Sequence, residues 1–405
     1  MSVPADMHPI AASHSRAEER RALGVACGAH ALHDGYTDLI YVMLPIWQHE
    51  FGLGFAALGL MKTVFSGTLA GLQIPSGLLA ERFGAPIVLA LGTALAGLGY
   101  CLAGFSQGVT FLVMALFVGG LGASTQHPLA SSLIAHAYAG PRSLKALGTY
   151  NFAGDIGKMT VPATASLLFV VLPWRHALIL LGSIGVLAAV AIFILIPRFG
   201  AIAAAPRKKE TGAGGGSRVS QFGFPLLLSI GVLDSATRMA FLTFLPFVLT
   251  SKGASLPTVG LALTLVFAGG AAGKLVCAFI GARIGTVATV WLTEMVTALG
   301  IVALLPLSLD AALLLLPVVG VALNGTSSVL YGSVPDLVEP ARRQRAFGIF
   351  YTGTIGAGAV SPALYGVLGD AIGVPSALVV VAGAVLLTLP ITLLLRPALA
   401  STNSV

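Results

Sequence analysis

Two carboxylates lie deep inside the first long apolar segment of this chain. The segment begins near Leu23, and Asp34 and Asp38 fall close to its middle. An ionised carboxylate at the centre of a bilayer costs at least about 2.5–3.5 kcal/mol, which makes such a residue a functional candidate by default. The i, i+4 spacing places both on one helical face. Because burial and mutual repulsion favour proton uptake by a carboxylate, we predict a proton-coupling role for Asp38 and Asp34.

A related pattern returns about 200 residues later. Residues 234–246 repeat it, with Asp234 in the place of Asp34 and Leu-Pro closing both segments, but Arg238 stands where the first copy has Asp38. A guanidinium offers forked donors to a carboxylate or phosphonate and keeps its charge, so Arg238 is the candidate for binding an anionic substrate. The alternative is a static ion pair in which Arg238 or Lys62 neutralises Asp34 or Asp38.

Other polar residues inside apolar segments extend the candidate site. Asp155 is a third candidate for proton coupling, although it could pair with Lys158 at i+3 on its own helix. His127 could titrate near neutral pH or be a satisfied buried histidine. Glu294 is expected to pair with Lys274 or to sit against neighbouring helices at the periphery. Besides Arg238, the predicted substrate-binding residues are Tyr36, Tyr41, Lys62, His127, Asn151 and Lys158.

Metal, cofactor and disulfide chemistry have little support. His30, His33 and Asp34 carry ligand atoms, but no second cluster completes a metal site, so we expect neither a metal nor a cofactor. The three cysteines lie scattered in apolar segments without CxxC spacing. We therefore interpret them as small buried hydrophobic residues.

The composition is that of a polytopic membrane protein. Charged residues make up 9% of the chain and hydrophobic residues 56%, and the mean hydropathy is +0.94. Soluble domains have about 25% charged residues. The net charge of +7 does not indicate nucleic acid as a partner, because the cationic residues lie in short loops between apolar runs. The expected partners are the lipid bilayer, protons and a small-molecule substrate, and we expect a monomer.

Spans of about 20 apolar residues predict an all-α protein with twelve transmembrane helices. The predicted spans are 23–50, 56–80, 86–106, 109–137, 144–172, 175–197, 221–250, 257–281, 285–307, 311–334, 344–369 and 373–396. A glycine-rich basic segment, 198–220, separates two six-helix halves, 23–197 and 221–396, and indicates a flexible linker. The tails are 1–22 and 397–405. Gly148–Pro162 and Gly348–Pro362 share glycine spacing and a closing proline, which supports repeated halves with a substrate site between them.

The distribution of basic residues predicts the topology. Arg175 and Lys252 fall on the side opposite the termini, and Lys62, Lys158, Arg238 and Lys274 fall inside spans. Sixteen of the 22 Lys and Arg residues therefore lie on the side of the N-terminus. By the positive-inside rule, both termini and the linker are expected in the cytoplasm.

The loop after the second span carries a family resemblance. Gly77-Leu-Leu-Ala-Glu-Arg-Phe-Gly84 resembles the signature loop of the major facilitator superfamily, G-x-L-a-D-r-x-G, with Glu81 in the place of Asp. The resemblance implies gating roles for Gly77, Glu81, Arg82 and Gly84, with Gly77 allowing close helix approach and the charges bracing one conformation. The first span and the compact length are similar to the fosmidomycin-resistance group of bacterial exporters.

This resemblance implies proton-driven export of a drug or metabolite across the bacterial inner membrane. The fifth span is loosely similar to the antiporter motif of drug exporters but lacks its central proline. A proton symporter that imports a metabolite, an arsenical exporter and a non-transporting sensor are the alternatives. We do not expect an enzyme, because the chain has no HExxH or Walker A motif, and its GxSxG match at 104–108 falls in the predicted turn between two apolar spans rather than at a nucleophile elbow.

The predicted linker provides a test of topology. A protease acting from the cytoplasmic face should cut within 198–220 and leave two halves that remain associated, because the segment is flexible and basic. The two fragments are measured by co-purification after digestion of inside-out vesicles. Cleavage only in right-side-out vesicles would invert the predicted topology.

Overall fold

The computed structural model describes residues 15–138, 141–196, 222–339 and 342–400. The predicted linker 198–220 lies outside the described residues, as do residues 1–14 and 401–405. The described residues form fourteen α-helices and one short 3₁₀ helix, without a strand. This confirms the prediction of an all-α membrane protein.

The helices follow the predicted spans closely. Their bounds are α1 Arg16–Phe51, α2 Phe55–Gly71, α3 Gln73–Phe83, α4 Ala85–Gly104, α5 Val109–Ala123, α6 Gln126–Ala137, α7 Pro141–Val171, α8 Trp174–Leu195, α9 Gly223–Ser251, α10 Leu256–Leu304, α11 Leu309–Ser333, α12 Arg343–Ile372, α13 Val374–Leu386 and α14 Thr388–Ala400.

Helix α1 begins earlier than the hydropathy pattern predicted. Residues 16–22, assigned from the sequence to the N-terminal tail, are its first two turns. Ser15 accepts a hydrogen bond from the Glu18 backbone N–H, and the Glu18 side chain accepts one from the Ser15 backbone N–H. This capping box satisfies two orphan donors and starts the helix in polar sequence, outside the apolar run.

Fourteen helices correspond to twelve spans because some helices are pieces of one span and one helix holds two. Among the described residues, eight helices are long and apolar enough to cross a membrane, or nine when the bent pair α2 and α3 counts as one span. Helix α10 has 49 residues, about 73 Å at 1.5 Å per residue, which is two membrane thicknesses. Dividing α10 gives ten spans. Helices α1 and α7, whose internal charges lower their hydropathy, complete the twelve.

Two glycines with positive φ make equivalent turns in the two halves. Gly84 has a φ of 88° between α3 and α4, and Gly285 has a φ of 84° at the kink of α10. A side chain would be strained in this backbone conformation. Residues 278–285 of the second half, A-F-I-G-A-R-I-G, correspond to 77–84 and keep Arg283 and Gly285 but lack the acid. The two closing glycines therefore share a backbone conformation.

The apolar cores show how the halves meet. We call the side where α1 and α9 begin the terminal face and the side where they end the distal face. One buried cluster unites both halves toward the distal face and includes Leu44 of α1 and Leu245 of α9. Toward the terminal face, one cluster belongs to the first half and another to the second. The two halves thus form a wedge that is closed at the distal face.

Helices α2 and α12 form the closest part of the distal seam. The Asp370 carboxylate of α12 accepts hydrogen bonds from the backbone N–H groups of Phe55 (2.7 Å) and Ala56 (2.9 Å) at the start of α2. A negative charge at a helix N-terminus is favourable. A methyl group on Gly59 would overlap the carbonyl oxygen of Pro362 in α12. Glycine at this position allows the two backbones to touch.

The α2–α12 seam provides a test with a matched pair of glycines. Gly59→Ala should force α2 and α12 apart and expose the distal seam, whereas a methyl group on Gly67 of the same helix meets no atom within 4 Å. The reporter is Leu245→Cys in a cysteine-free background, since Leu245 is fully buried in the apolar cluster that both halves share. Its labelling by a water-soluble maleimide should rise about tenfold, which corresponds to a population shift of about 1.4 kcal/mol.

Gly67→Ala, the control, should leave the Leu245→Cys labelling rate at the level of the parent protein. Equal rates in the Gly59→Ala and Gly67→Ala proteins would show that close backbone contact at Gly59 does not hold the distal face shut.

Candidate functional site

A cavity of about 280 Å³ lies between the halves, on the terminal side of the shared core. Residues of both halves line it. Its charged lining residues are three acids and three bases, namely Asp34, Asp38, Asp234, Lys62, Lys158 and Arg238. A volume of this order suits a small organic molecule. The structure therefore brings together the acids of α1 and the arginine of α9, as the repeat predicted.

Asp34 is paired with Lys158 of its own half, and His30 lies beside it. Its carboxylate lies 3.4 Å from the Lys158 ammonium of α7 and 3.4 Å from His30 Nε2. The predicted pair between Asp155 and Lys158 is wrong. Although three residues apart, the two side chains pair with different helices: Lys158 contacts α1, and Asp155 contacts α10 of the second half.

Asp155 joins the halves through an ion pair. The Lys274 ammonium of α10 lies 2.6 Å and 2.8 Å from the two oxygens of Asp155. The predicted pair between Lys274 and Glu294 is therefore not formed, because Lys274 belongs to the first segment of α10 and Glu294 to the second, beyond the kink. Glu294 packs against neighbouring helices, and it is only 1% exposed.

A histidine cluster surrounds Asp34. His30 Nδ1 lies 2.8 Å from the backbone oxygen of Tyr150, and the two rings stack with centroids 3.9 Å apart. Since a carbonyl only accepts, Nδ1 carries a proton and Nε2 is directed to Asp34. His127 packs edge-on against His33 at 4.8 Å.

The ligand atoms of His30, Asp34 and His127 lie within 4.8 Å of one another. This set differs from the set that the sequence suggested, with His127 in the place of His33. Lys158 already provides the positive charge at Asp34, which disfavours a bound cation at this carboxylate. The cluster is better suited to holding protons than to holding a metal.

Asp38 lies one turn beyond Asp34 and has a different environment. It is 6% exposed, and no Lys, Arg or His nitrogen of the described residues lies within 4.0 Å of it. Lys158, Lys62 and Arg238 act on it only at longer range. The Lys62 ammonium donates instead to the Thr37 backbone oxygen (2.8 Å) and lies 4.3 Å above the Tyr41 ring. The static ion pair considered for Asp38 is absent in this conformation of the described chain.

Arg238 faces the cavity without a carboxylate partner. Within the part of the chain that the structure describes, no acidic oxygen lies within 4.0 Å of its guanidinium, and its buried Nε has no hydrogen-bond acceptor. The static pairing of Arg238 with Asp34 or Asp38 is therefore not formed. A buried donor without an acceptor is costly, so this guanidinium has unused capacity for an anion.

The other predicted substrate-binding residues divide into two groups. Tyr41 lines the cavity, and its hydroxyl lies 3.3 Å from Met239 Sδ of the second half. His127, Lys62 and Lys158 line it as well. The assignments of Tyr36 and Asn151 are not supported by this geometry.

Tyr36 points away from the cavity and donates to the backbone oxygen of Leu181, so it is a packing residue between α1 and α8. Asn151 is exposed and does not line the cavity. It lies two turns before Lys158 on α7, about 10 Å nearer the start of the helix.

The residues assigned to gating lie at the terminal face. Gly84 needs its positive φ, but a methyl group on Gly77 would meet no atom within 4 Å, so Gly77 does not allow close packing here. Arg82 lies over the ring of Phe83, and among the described residues Glu81 makes no ion pair. The expected charge contacts at this loop are absent while the halves are apart at this face.

Sequence reasoning missed the aromatic wall of the second half. Tyr331, Phe350 and Tyr351 line the cavity, and Tyr331 packs edge-on against Phe350 with centroids 5.1 Å apart. No charged residue inside an apolar segment lies beside these aromatic residues in the sequence, so the search for intramembrane charges did not select them. It also missed the contact between Asp234 and Glu294, since these acids are 60 residues apart on different helices.

Comparison with known proteins agrees with this architecture. The family model described as Major Facilitator Superfamily matches residues 26–226 and 227–404. The chain is 22% identical to the fosmidomycin resistance protein of Escherichia coli K12 over 379 residues, which cover 91% of this chain and 92% of that protein. It is 30% identical to a probable sulfoacetate transporter of Cupriavidus necator over 167 residues, only 40% of this chain and 38% of that protein.

A solved structure has the same fold. A bacterial homologue of the human lysosomal transporter Spinster, in an inward-facing and occupied conformation, superposes with a TM-score of 0.72 at 16% identity, covering 96% of this chain and 97% of that chain. The similarity to the fosmidomycin-resistance group is confirmed along nearly the whole chain. With a charged central cavity and a family model that matches residues 26–226 and 227–404, the chain belongs to the major facilitator superfamily of transporters.

Proposed function

We propose that this protein is a proton-coupled exporter of a small organic anion, working by alternating access in the bacterial inner membrane. The observation that carries the proposal is the guanidinium of Arg238, which faces a central cavity and has no acidic partner among the residues that the structure describes. A permanent cation without a protein partner is unfavourable in a membrane interior, and an anionic substrate supplies the missing acceptors. Similarity to a fosmidomycin resistance protein along 91% of the chain supports export.

Asp38 is the proposed coupling residue. Asp34 is held by Lys158 and Asp155 by Lys274, so protonation of either would break an ion pair. Asp38 has no such pair and lines the same cavity as Arg238. Its protonation removes one negative charge near the guanidinium, and the two binding events then affect each other reciprocally. We therefore rank Asp38 above Asp34 and Asp155 as the site of proton exchange.

The shape of the molecule supports an inward-facing conformation. The apolar core that both halves share closes the distal face. At the terminal face each half has its own core, so the two halves are separated there. With both termini in the cytoplasm, as the basic residues predict, the cavity opens to the cytoplasm. Closing the terminal face would bring Glu81 and Arg82 toward the second half, where their gating contacts would form. Within the described residues, none of the three cysteines lines the cavity, so an arsenical thiolate site is not favoured.

One observation favours a second candidate, proton–anion symport. The cavity holds three acids and three bases, so a bound monovalent anion is neutralised best when one acid takes up a proton. Protonation of Asp38 that favours anion binding at Arg238 has the same sign of coupling. An antiporter instead needs proton binding and substrate binding to exclude each other. The direction is tested by the sign of the pH gradient that drives uptake into proteoliposomes during a screen of organic anions. Counterflow that is independent of any pH gradient would remove proton coupling from both candidates.

The first prediction concerns Asp38. Asp38→Asn should keep or tighten substrate binding, reduce its pH dependence and abolish concentrative transport, because the amide imitates the protonated acid and cannot release a proton. Affinity is measured against pH by calorimetry, and transport is measured in proteoliposomes. The exposed acid Asp310 provides the control, and Asp310→Asn should behave like the parent. An unchanged pH profile in Asp38→Asn would place the coupling site at another acid.

The second prediction concerns Arg238. Arg238→Ala should weaken binding of anionic substrates by about 10- to 100-fold, the loss of about 1.5–3 kcal/mol for hydrogen bonds to a charged group. Arg238→Lys should recover only part of the affinity, since a point charge lacks the forked geometry. Arg345→Ala, at an exposed position of α12, is the matched control. Equal affinity in Arg238→Ala and Arg345→Ala would refute an anion site at Arg238.

A further inference from the structure

A pair of acids lies in the second half, where no ion pair compensates it. Asp234 of α9 is 4% exposed and Glu294 of α10 is 1% exposed, and their carboxyl groups are hydrogen-bonding partners. Asp234 lines the cavity and Glu294 lies behind it. Two carboxylates in hydrogen-bond contact cannot both be ionised without severe repulsion, so the contact itself requires a proton.

The surroundings of the pair do not offer another source of positive charge. Among the described residues, no Lys, Arg or His nitrogen lies within 4.0 Å of either acid. Arg238, one turn along α9, acts on both at longer range, and Tyr331 of α11 faces Asp234. These are the titratable groups near the pair. The equivalent acid of the first half, Asp34, has Lys158 and His30 instead.

The threonines around Glu294 indicate where the proton resides. The Thr293 hydroxyl donates to the Thr289 backbone oxygen at 2.9 Å, because a carbonyl only accepts. The Thr326 hydroxyl in turn donates to Thr293 Oγ1 at 2.7 Å. Its single proton is thereby used, so Thr326 has no proton left to donate to a Glu294 carboxylate. Glu294 Oε1 also has no donor within the described residues, as suits a neutral carboxyl group.

We propose that Asp234 and Glu294 form a proton-binding site that holds one shared proton in this conformation. The proton exchanges with the cavity through Asp234, the member of the pair that faces it. When the proton leaves, the pair carries two negative charges, and Arg238 at i+4 from Asp234 is the nearest cation that can compensate them. The occupied site therefore leaves Arg238 free for a substrate, and the empty site withdraws it.

This inference extends the proposed function through Arg238 but does not require Asp38 to titrate. Each half would then contribute one proton site to the same cavity, Asp38 in the first half and the acid pair in the second. The two sites differ in design. Asp38 is a single acid among distant cations, whereas the pair keeps its proton because two ionised carboxylates in contact would repel each other.

The test is infrared spectroscopy of the purified full-length protein in lipid nanodiscs. The C=O stretch of a protonated carboxyl group should be present in the parent at neutral pH and should persist in Asp38→Asn, which retains the acid pair. Glu294→Gln should abolish it, since Asp234 is then free to ionise beside Arg238. Asp234→Asn should retain the band at a shifted frequency, because the hydrogen-bond partner of Glu294 changes from a carboxylate to an amide.

The outcomes separate this site from the Asp38 proposal. A band that is unchanged in Glu294→Gln, or lost in Asp38→Asn, overturns the acid-pair site. If Glu294→Gln does not fold, the frequency in Asp234→Asn decides the question, and an unshifted band overturns the proposal. Loss of the band in Glu294→Gln together with a normal pH profile in Asp38→Asn would keep the acid pair and reject Asp38.

Discussion

Charge compensation in a medium of low polarity is the constraint on which this structure depends. A lone charge inside the membrane is expensive, so each intramembrane acid or base must find a partner or a proton. Asp34 has Lys158, Asp155 has Lys274 and Lys62 has a backbone oxygen and an aromatic ring. Asp234 and Glu294 share a proton. Asp38 and Arg238 alone among these groups have no close partner, and both face the cavity.

Close backbone contact between α2 and α12 holds the two halves together at the distal face. Glycine at position 59 allows α2 to lie directly on α12, and Asp370 caps the start of α2 from the other half. Such seams depend on atom-to-atom packing and are either formed or broken, which favours two discrete conformations over a continuum. The Asp155–Lys274 pair also crosses between halves. Its formation and loss would accompany movement of the halves.

The two halves use one inherited pattern for different chemistry. Asp34 and Asp234 occupy equivalent buried positions on α1 and α9, and helix-interior prolines follow both. The next turn carries Asp38 in one half and Arg238 in the other. Exchange of an acid for a base at equivalent positions places opposite charges across a cavity without changing either backbone. Such an arrangement couples the binding of a cation, the proton, to the binding of an anion.

The sequence by itself determined the membrane class, most span boundaries to within a few residues, apart from the start of α1, and the acids and arginine of the cavity. These follow from hydropathy and from the cost of buried charge, which act locally along the chain. Only the tertiary structure decided the partners. Lys158 pairs with Asp34 rather than with Asp155. Tyr36 and Asn151 do not line the cavity, and Glu294 meets Asp234. Pairing depends on which helix faces each side chain, because residues that are distant in sequence become neighbours only when helices pack.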